Sequence, residues 1–394
     1  MSRAILLGLT LTLTGSVLAF SSLWRSLGLA GPYWILRLTV LAGWILTLAG
    51  AFRQARRARG LVRRAVLPLG ALGLALAIPA AFNAARLPSH SLLVGGLERR
   101  YHVFLPEGGT PTTRSLPVLI VMHGFLQSWR GIRQLTGFER LARREGFLVV
   151  YPEGYRRSWN DGDGVKPASK RRVDDLGFLR ALLDDVARRY PIDEGRVYAV
   201  GFSNSAFLLA RHACALSDRL AAIGMAAGGV YPGWGPDCPD RRRMPAVFVN
   251  GTEDPALAPL NEEFDLAPLR SGELWAARNG CEPEGARRDS LPDPARDGTT
   301  VTRSEFTGCE QGAEVVEYRV EGGGHAWPGG PQYLPGFFIG KASRDFDASR
   351  AMWDFLRSHS LPAGSAPRAG SRADPPLPSV LAEPYALSLP DRGS

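Results

Sequence analysis

The chain has 394 residues and a formal net charge of +9, from 47 Lys and Arg against 38 Asp and Glu. The excess is arginine, since lysine occurs only at Lys166, Lys170 and Lys341, and its tightest group lies between two apolar segments rather than on a nucleic-acid motif. This argues against a nucleic-acid partner, and the length suits one large catalytic domain with appendages.

The first 85 residues differ from the rest. Segments 4–24 and 65–85 carry no charge and 33–52 carries only Arg37, each close to the ~20 residues that cross a bilayer core as a helix. Three transmembrane helices are expected. Segment 53–64 holds six arginines, whereas the stretch near 26–32 is nearly neutral; the positive-inside rule puts the arginine loop in the cytoplasm and everything after Ala85 outside. Arg37, near the outer end of the second span, can snorkel to the headgroups. An alternative is a signal peptide: Arg63-Arg64, the apolar 66–81, then small residues with cleavage near Ala84. Both export the same domain. The expectation is a multi-pass membrane protein, with 86–91 a linker to a catalytic domain over 92–360.

Within that domain, short apolar runs alternate with helical patterns. Tyr101–Leu105 alternates like an early antiparallel strand; Val118–Met122, Phe147–Tyr151, Val197–Val200, Ala246–Val249 and Val315–Tyr318 follow as buried strands, with helices at Phe138–Glu145, Asp175–Arg189 and Ala206–Leu216. Strands interleaved with helices predict a mostly parallel sheet covered on both faces, with ligands beyond the carboxyl ends of its strands. From 361 to 394 the composition turns to Pro, Ser, Ala, Gly and Arg, which cannot offset its ordering entropy by burial, so a disordered tail is expected.

The run Gly201-Phe202-Ser203-Asn204-Ser205 stands between the strand ending at Val200 and a helix-like segment. A strand turning sharply into a helix lifts a serine hydroxyl to the top of a sheet. A serine needs a base in reach and a carboxylate to hold that base in the correct tautomer. His325, behind three glycines, is the base candidate, and Asp254 the acid candidate with Glu253 its rival. Their order, Ser then Asp then His, is that of a nucleophile elbow and its partners. The developing oxyanion requires two backbone N–H donors, for which Asn204 and Phe125, in the His123-Gly124-Phe125 loop, are the candidates. His123 is read as shaping that loop. Trp159 and Trp327, next to turns at the expected mouth, are either packing residues or flat walls for an acyl or aryl group.

The four cysteines, Cys214, Cys238, Cys281 and Cys309, lack the C-x-x-C spacing of a zinc or redox site. In an exported domain they read as disulfides, and the connectivity closing the two short segments, Cys214–Cys238 and Cys281–Cys309, is expected.

With these residues the chain resembles the polyhydroxybutyrate depolymerase and feruloyl esterase family of secreted α/β-hydrolases. The resemblance runs roughly from Leu92 to His359 and includes Met122-His123-Gly124, Ser158-Trp159-Asn160, Val173-Asp174-Asp175-Leu176-Gly177-Phe178, Gly251-Thr252-Glu253-Asp254-Pro255 and Gly323-Gly324-His325-Ala326-Trp327-Pro328. It implies an α/β-hydrolase fold and hydrolysis of carboxylic esters through an acyl-enzyme. Ser203, Asp254 and His325 match the family's triad positions, and no metal or organic cofactor is implied. Ser205 replaces the glycine usual two residues after the nucleophile, and Asn250 stands where a histidine often precedes Gly-Thr. The apparent spans lie outside the family pattern, and no polymer-binding domain follows His359. A small or envelope-linked ester is therefore the expected substrate. Transfer of the acyl group to an envelope glycan, and a catalytically silent binding module of the same fold, are the competing readings.

Overall fold

The computed structural model describes residues 87–106, 115–231, 242–259, 267–282 and 286–362. These lie in one compact unit, Leu87–Ser394. The three apolar segments of the first 85 residues, the arginine loop, Cys238 and residues 363–394 fall outside the described residues. Among the described residues no helix is long and apolar enough to cross a membrane.

Among the described residues ten strands form the sheet: β1 Ser89–Val94, β2 Leu97–Phe104, β3 Leu116–Met122, β4 Leu148–Pro152, β5 Ile192–Phe202, β6 Ala222–Ala226, β7 Ala246–Gly251, β8 Ala286–Ser290, β9 Thr300–Phe306 and β10 Val315–Glu321. Their spatial order is β1-β2-β4-β3-β5-β6-β7-β10-β9-β8. The six from β4 to β10 are parallel. β2 joins antiparallel to β4, and β9 antiparallel to β10. This is the α/β-hydrolase fold. β1 begins at Ser89, inside the expected linker, because the chain pairs with β2 as soon as it passes Pro88, whose carbonyl accepts from Val103 N–H at 3.0 Å. At the other end Leu361 belongs to the core rather than the tail: its N–H donates to Gly195 O at 2.8 Å and its side chain is buried.

The central strands are apolar on both faces because both are covered. Along β3, Val118, Ile120 and Met122 enter one core and Leu119 and Val121 the other, the period-2 alternation of a strand. Helices α4 (Asp175–Arg189), α5 (Asn204–His212) and α6 (Ser271–Arg278) supply Phe178, Leu182, Leu208 and Trp275 to the first core. Helices α1 (Trp129–Thr136), α2 (Phe138–Glu145) and α8 (Ala348–Leu356) supply Ile132, Leu141, Met352 and Trp353 to the second. Two four-residue helices, α3 (Pro167–Lys170) and α7 (Gly336–Ile339), sit in loops. Asp174 caps α4 by accepting from Gly177 N–H, and Asp347 caps α8 by accepting from Arg350 N–H, each satisfying a first-turn donor that has no helical acceptor.

Candidate active site

Ser203 stands between β5 and α5 with φ 56° and ψ −120°, a region that non-glycine residues rarely occupy. Its geometry is over-determined by neighbours, as strained functional positions must be. Its N–H donates to Ala226 O at 2.8 Å, and its carbonyl accepts from Ala206 N–H at 2.8 Å. The turn also requires Gly201: a Cβ there would lie 2.6 Å from the Ser205 backbone, so the strand–helix crossing closes only on glycine.

Asp254 and His325 follow β7 and β10, at the same carboxyl end of the sheet as Ser203. His325 Nδ1 lies 2.7 Å from Asp254 Oδ2. Asp254 Oδ1 accepts from Ala256 N–H at 2.8 Å and Leu257 N–H at 3.1 Å. A carboxylate only accepts, so it holds the imidazole with its proton on Nδ1 and leaves the Nε2 lone pair free. Glu253, the rival acid, is exposed and among the described residues its carboxylate meets no histidine; its N–H donates to Gly323 O at 2.8 Å.

The loop holding His325 is braced by the segment that follows. Gly324 N–H donates to Lys341 O at 2.9 Å, His325 N–H to Ile339 O, and Tyr333 Oη to His325 O at 2.8 Å. A side chain at Gly324 would collide with the Ile339 carbonyl. The Phe202 ring lies 5.2 Å from the imidazole, centre to centre. Burial, followed by the nearby Asp254 charge, pushes the Tyr333 hydroxyl up to about 12, so it remains a donor across the working range. The sequence reading missed this brace, although an apolar Phe337-Phe338 pair inside a Gly/Pro-rich stretch was its visible mark. Both rings are exposed, with their centres 4.3 Å apart.

The two N–H groups proposed for the oxyanion differ in their supports. Asn204 opens α5, where the first amides have no helical acceptor; its buried side chain accepts from Trp159 N–H at 2.7 Å and donates to Asp161 Oδ2 at 2.6 Å. Asp161 is in turn paired with Lys166 Nζ at 2.8 Å. Phe125 follows Gly124, which abuts the nucleophile: a Cβ on Gly124 would lie 3.2 Å from Ser203 Cβ. That loop is pinned by Gly124 N–H to Gln127 Oε1 at 3.1 Å and Leu126 N–H to Arg157 O at 2.9 Å.

His123 donates from Nδ1 to Gly124 O at 2.8 Å and accepts at Nε2 from Gly154 N–H at 3.0 Å. Both ring nitrogens are thereby used by the backbone, and burial pushes its pKa down to about 4. It is a neutral brace.

Trp159 and Trp327 are not walls of the cleft. Both are fully buried, Trp159 donating to His123 O at 2.8 Å and Trp327 to Ser349 Oγ at 2.9 Å. Their indole N–H groups find interior partners, so the rings pack beneath the loops instead of facing solvent. Exposed large apolar side chains on the segments that carry Phe125 and brace His325 are Phe125, Leu126, Leu334, Phe337 and Phe338.

Cys281 and Cys309 form a disulfide. Cys214 is disulfide-bonded as well; its expected partner Cys238 lies outside the described residues. Among the described residues no cluster of His, Cys, Asp and Glu could hold a metal ion.

Residues 99–235 match the family of polyhydroxybutyrate depolymerase esterases. The curated relatives include "Putative esterase NocK" of Nocardia uniformis, 26% identical over 287 residues, covering 68% of this chain and 82% of that protein. Feruloyl esterase B of Piromyces equi is 24% identical over 282 residues, covering 67% of this chain but 46% of its own length. The bifunctional acetylxylan esterase/xylanase XynS20E of Neocallimastix patriciarum is 24% identical; the match covers 72% of this chain and 37% of that protein. Among solved structures, the acetyl xylan esterase from Aspergillus awamori is 10% identical with a TM-score of 0.45, over 68% of this chain and 99% of the other. The family match and these relatives are esterases throughout, and they make the chain a carboxylic ester hydrolase similar to the polyhydroxybutyrate depolymerases and feruloyl esterases.

Proposed function

We propose that the chain is a membrane-tethered, extracytoplasmic serine esterase acting through Ser203, His325 and Asp254. The observation that carries this reading is the Asp254–His325 hydrogen bond, formed at the end of the sheet where the backbone of Ser203 is strained into an elbow. In acylation, Ser203 Oγ attacks the ester carbonyl carbon while its proton passes to His325 Nε2. Asp254 stabilises the imidazolium that forms but takes no proton. The carbonyl oxygen becomes an oxyanion facing the Asn204 and Phe125 N–H groups. Collapse expels the alcohol, which takes the proton from His325, and leaves the acyl group on Ser203. Water then repeats the sequence in deacylation and releases the acid. The tether is supported by the three apolar segments and the arginine loop, and export by the Cys281–Cys309 bond. The substrate is a small or envelope-linked carboxylic ester, with the exposed apolar side chains around the site receiving its apolar part. Fluorophosphonate labelling of the full-length protein, with and without Ser203→Ala, tests the reading, followed by a panel from short p-nitrophenyl esters to methyl ferulate and hydroxybutyrate oligomers. Labelling that persists in S203A removes Ser203 from the mechanism.

A further inference from the structure

Ser205 occupies the position that is glycine in a G-x-S-x-G elbow, and its side chain is completely buried. Its hydroxyl has found specific work there. Phe202 N–H donates to Ser205 Oγ at 2.9 Å, and the hydroxyl lies 2.9 Å from Met122 O and 3.1 Å from Phe202 O. A hydroxyl has one proton, and the shorter contact assigns it to Met122 O. Met122 is the last β3 residue in register with β5, opposite Gly201. Past that pair, the Phe202 N–H and the Met122 carbonyl are joined through the Ser205 oxygen, which forms the final rung between the two strands.

Both strands leave this rung directly for the reacting centre. β3 continues into His123-Gly124-Phe125, which brings the Phe125 N–H; β5 continues into Ser203 and Asn204, which bring the nucleophile and the second N–H. We propose that Ser205 is a positioning residue for the oxyanion hole, its hydroxyl setting the spacing between the two backbone donors. This inference rests on the esterase reading of Ser203. Glycine or alanine at 205 removes the rung, and the strand ends either close in on each other or part. In both cases the two donors shift relative to one another. Full negative charge reaches the hole only in the transition state, so such a shift lowers kcat and leaves ground-state binding almost unchanged.

The test compares the full-length wild-type protein with S205A, S205G and S203A. Glycine is the residue the elbow pattern itself carries, so S205G keeps the fold available, and thermal melts confirm that each variant is folded at the assay temperature. The substrate is p-nitrophenyl acetate, and the transition-state probe is an aryl trifluoromethyl ketone, whose hemiketal oxyanion enters the hole. Expected is a fall in kcat of about 10- to 100-fold, the scale for donors displaced by up to an ångström, with KM within about threefold. The ketone's inhibition constant should rise by the same factor as kcat falls, which looser packing alone would not produce. A kcat and inhibition constant within twofold of wild type in S205G, or a loss confined to KM, overturns the inference while leaving the esterase reading intact. A wild-type protein that hydrolyses no ester, or an S203A variant that still does, overturns both.

Discussion

Ser203 holds backbone angles of φ 56° and ψ −120° with its amide and carbonyl both engaged, so removal of its hydroxyl leaves the elbow standing. Ser203→Ala is therefore expected to fold normally and to lose on the order of 10⁴-fold or more in ester hydrolysis; retention of over a tenth of the activity would assign the nucleophile elsewhere. Asp254→Asn should cost far more than Glu253→Gln, by about 10⁴-fold, since an amide favours the wrong imidazole tautomer. Steady-state kinetics of both variants checks this, and the opposite ranking would move the acid to Glu253. At this scale the sequence was legible wherever chemistry restricts residue type. A serine between strand and helix, and a histidine behind three glycines, have few other uses. The choice of Asp254 over Glu253 came from the family resemblance, with Asp254 Oδ2 lying 2.7 Å from His325 Nδ1 in the structure, and the position of both tryptophans depends on where an indole N–H finds a partner. Neither is written in local pattern, and of the two readings left open for the tryptophans the packing one fits their burial.

Strand β10 carries Glu317 against α6, where Gly272 N–H donates to its Oε1 at 3.0 Å. Burial pushes this carboxyl up to about 7, with the Gly272 N–H and then Arg319 opposing the rise. An unfolded glutamate ionises near pH ~4.3. Between that value and about 7 the unfolded chain gives up a proton that the fold retains, so stability falls as pH rises through this window. Glu317→Gln keeps the acceptor and removes the titration. It should match wild type in urea unfolding at pH 4 and exceed it at pH 8 by a few kcal/mol; an equal response at both would show that the carboxyl carries no such penalty. Just beyond α6, the Cys281–Cys309 bond closes a loop with a sequence separation of 28 around β8 and β9. Cys309→Ser should lower the unfolding free energy by about 3–4 kcal/mol, measured by denaturant titration in non-reducing buffer. Helices α2 and α4 were legible to the residue, being amphipathic and ended by Gly146 and Tyr190. Strand β6 was not, since Ala-Ile-Gly-Met-Ala has little strand preference of its own. It is held by its place between β5 and β7. Strand β8, Ala-Arg-Arg-Asp-Ser, was not legible either, since its three central residues are charged and none of its five is buried.

For the whole molecule, the question that decides where the chemistry happens is topology. If the three segments span the bilayer, a reporter fused after Ala85 should behave as exported and one in the arginine loop as cytoplasmic, with the full-length protein retained by membranes after a high-salt wash. A soluble product beginning near Ala84 would favour cleavage, and a cytoplasmic reporter after Ala85 would reverse the orientation. The alternation of strands and helices made a mostly parallel sheet covered on both faces accessible from sequence, and the alternating run Tyr101–Leu105 its antiparallel strand β2, whereas the strand order followed only from the pairings themselves. One flank of the sheet has its own bearing on solubility. β8 is the outermost strand on its side among the described residues, and an outer strand offers a row of unpaired amides and carbonyls to any second chain. Arg287 and Arg288 are exposed there and Asp289 is partly exposed, with Arg287 and Asp289 paired at 2.9 Å. A copy of the protein approaching this rim meets desolvation of three charges before it gains a hydrogen bond. Replacing the three with threonine or valine should leave the monomer's melting temperature within a few degrees yet produce concentration-dependent oligomers in sedimentation velocity. A variant that stays monomeric would place the protection in the shape of the rim rather than in its charge.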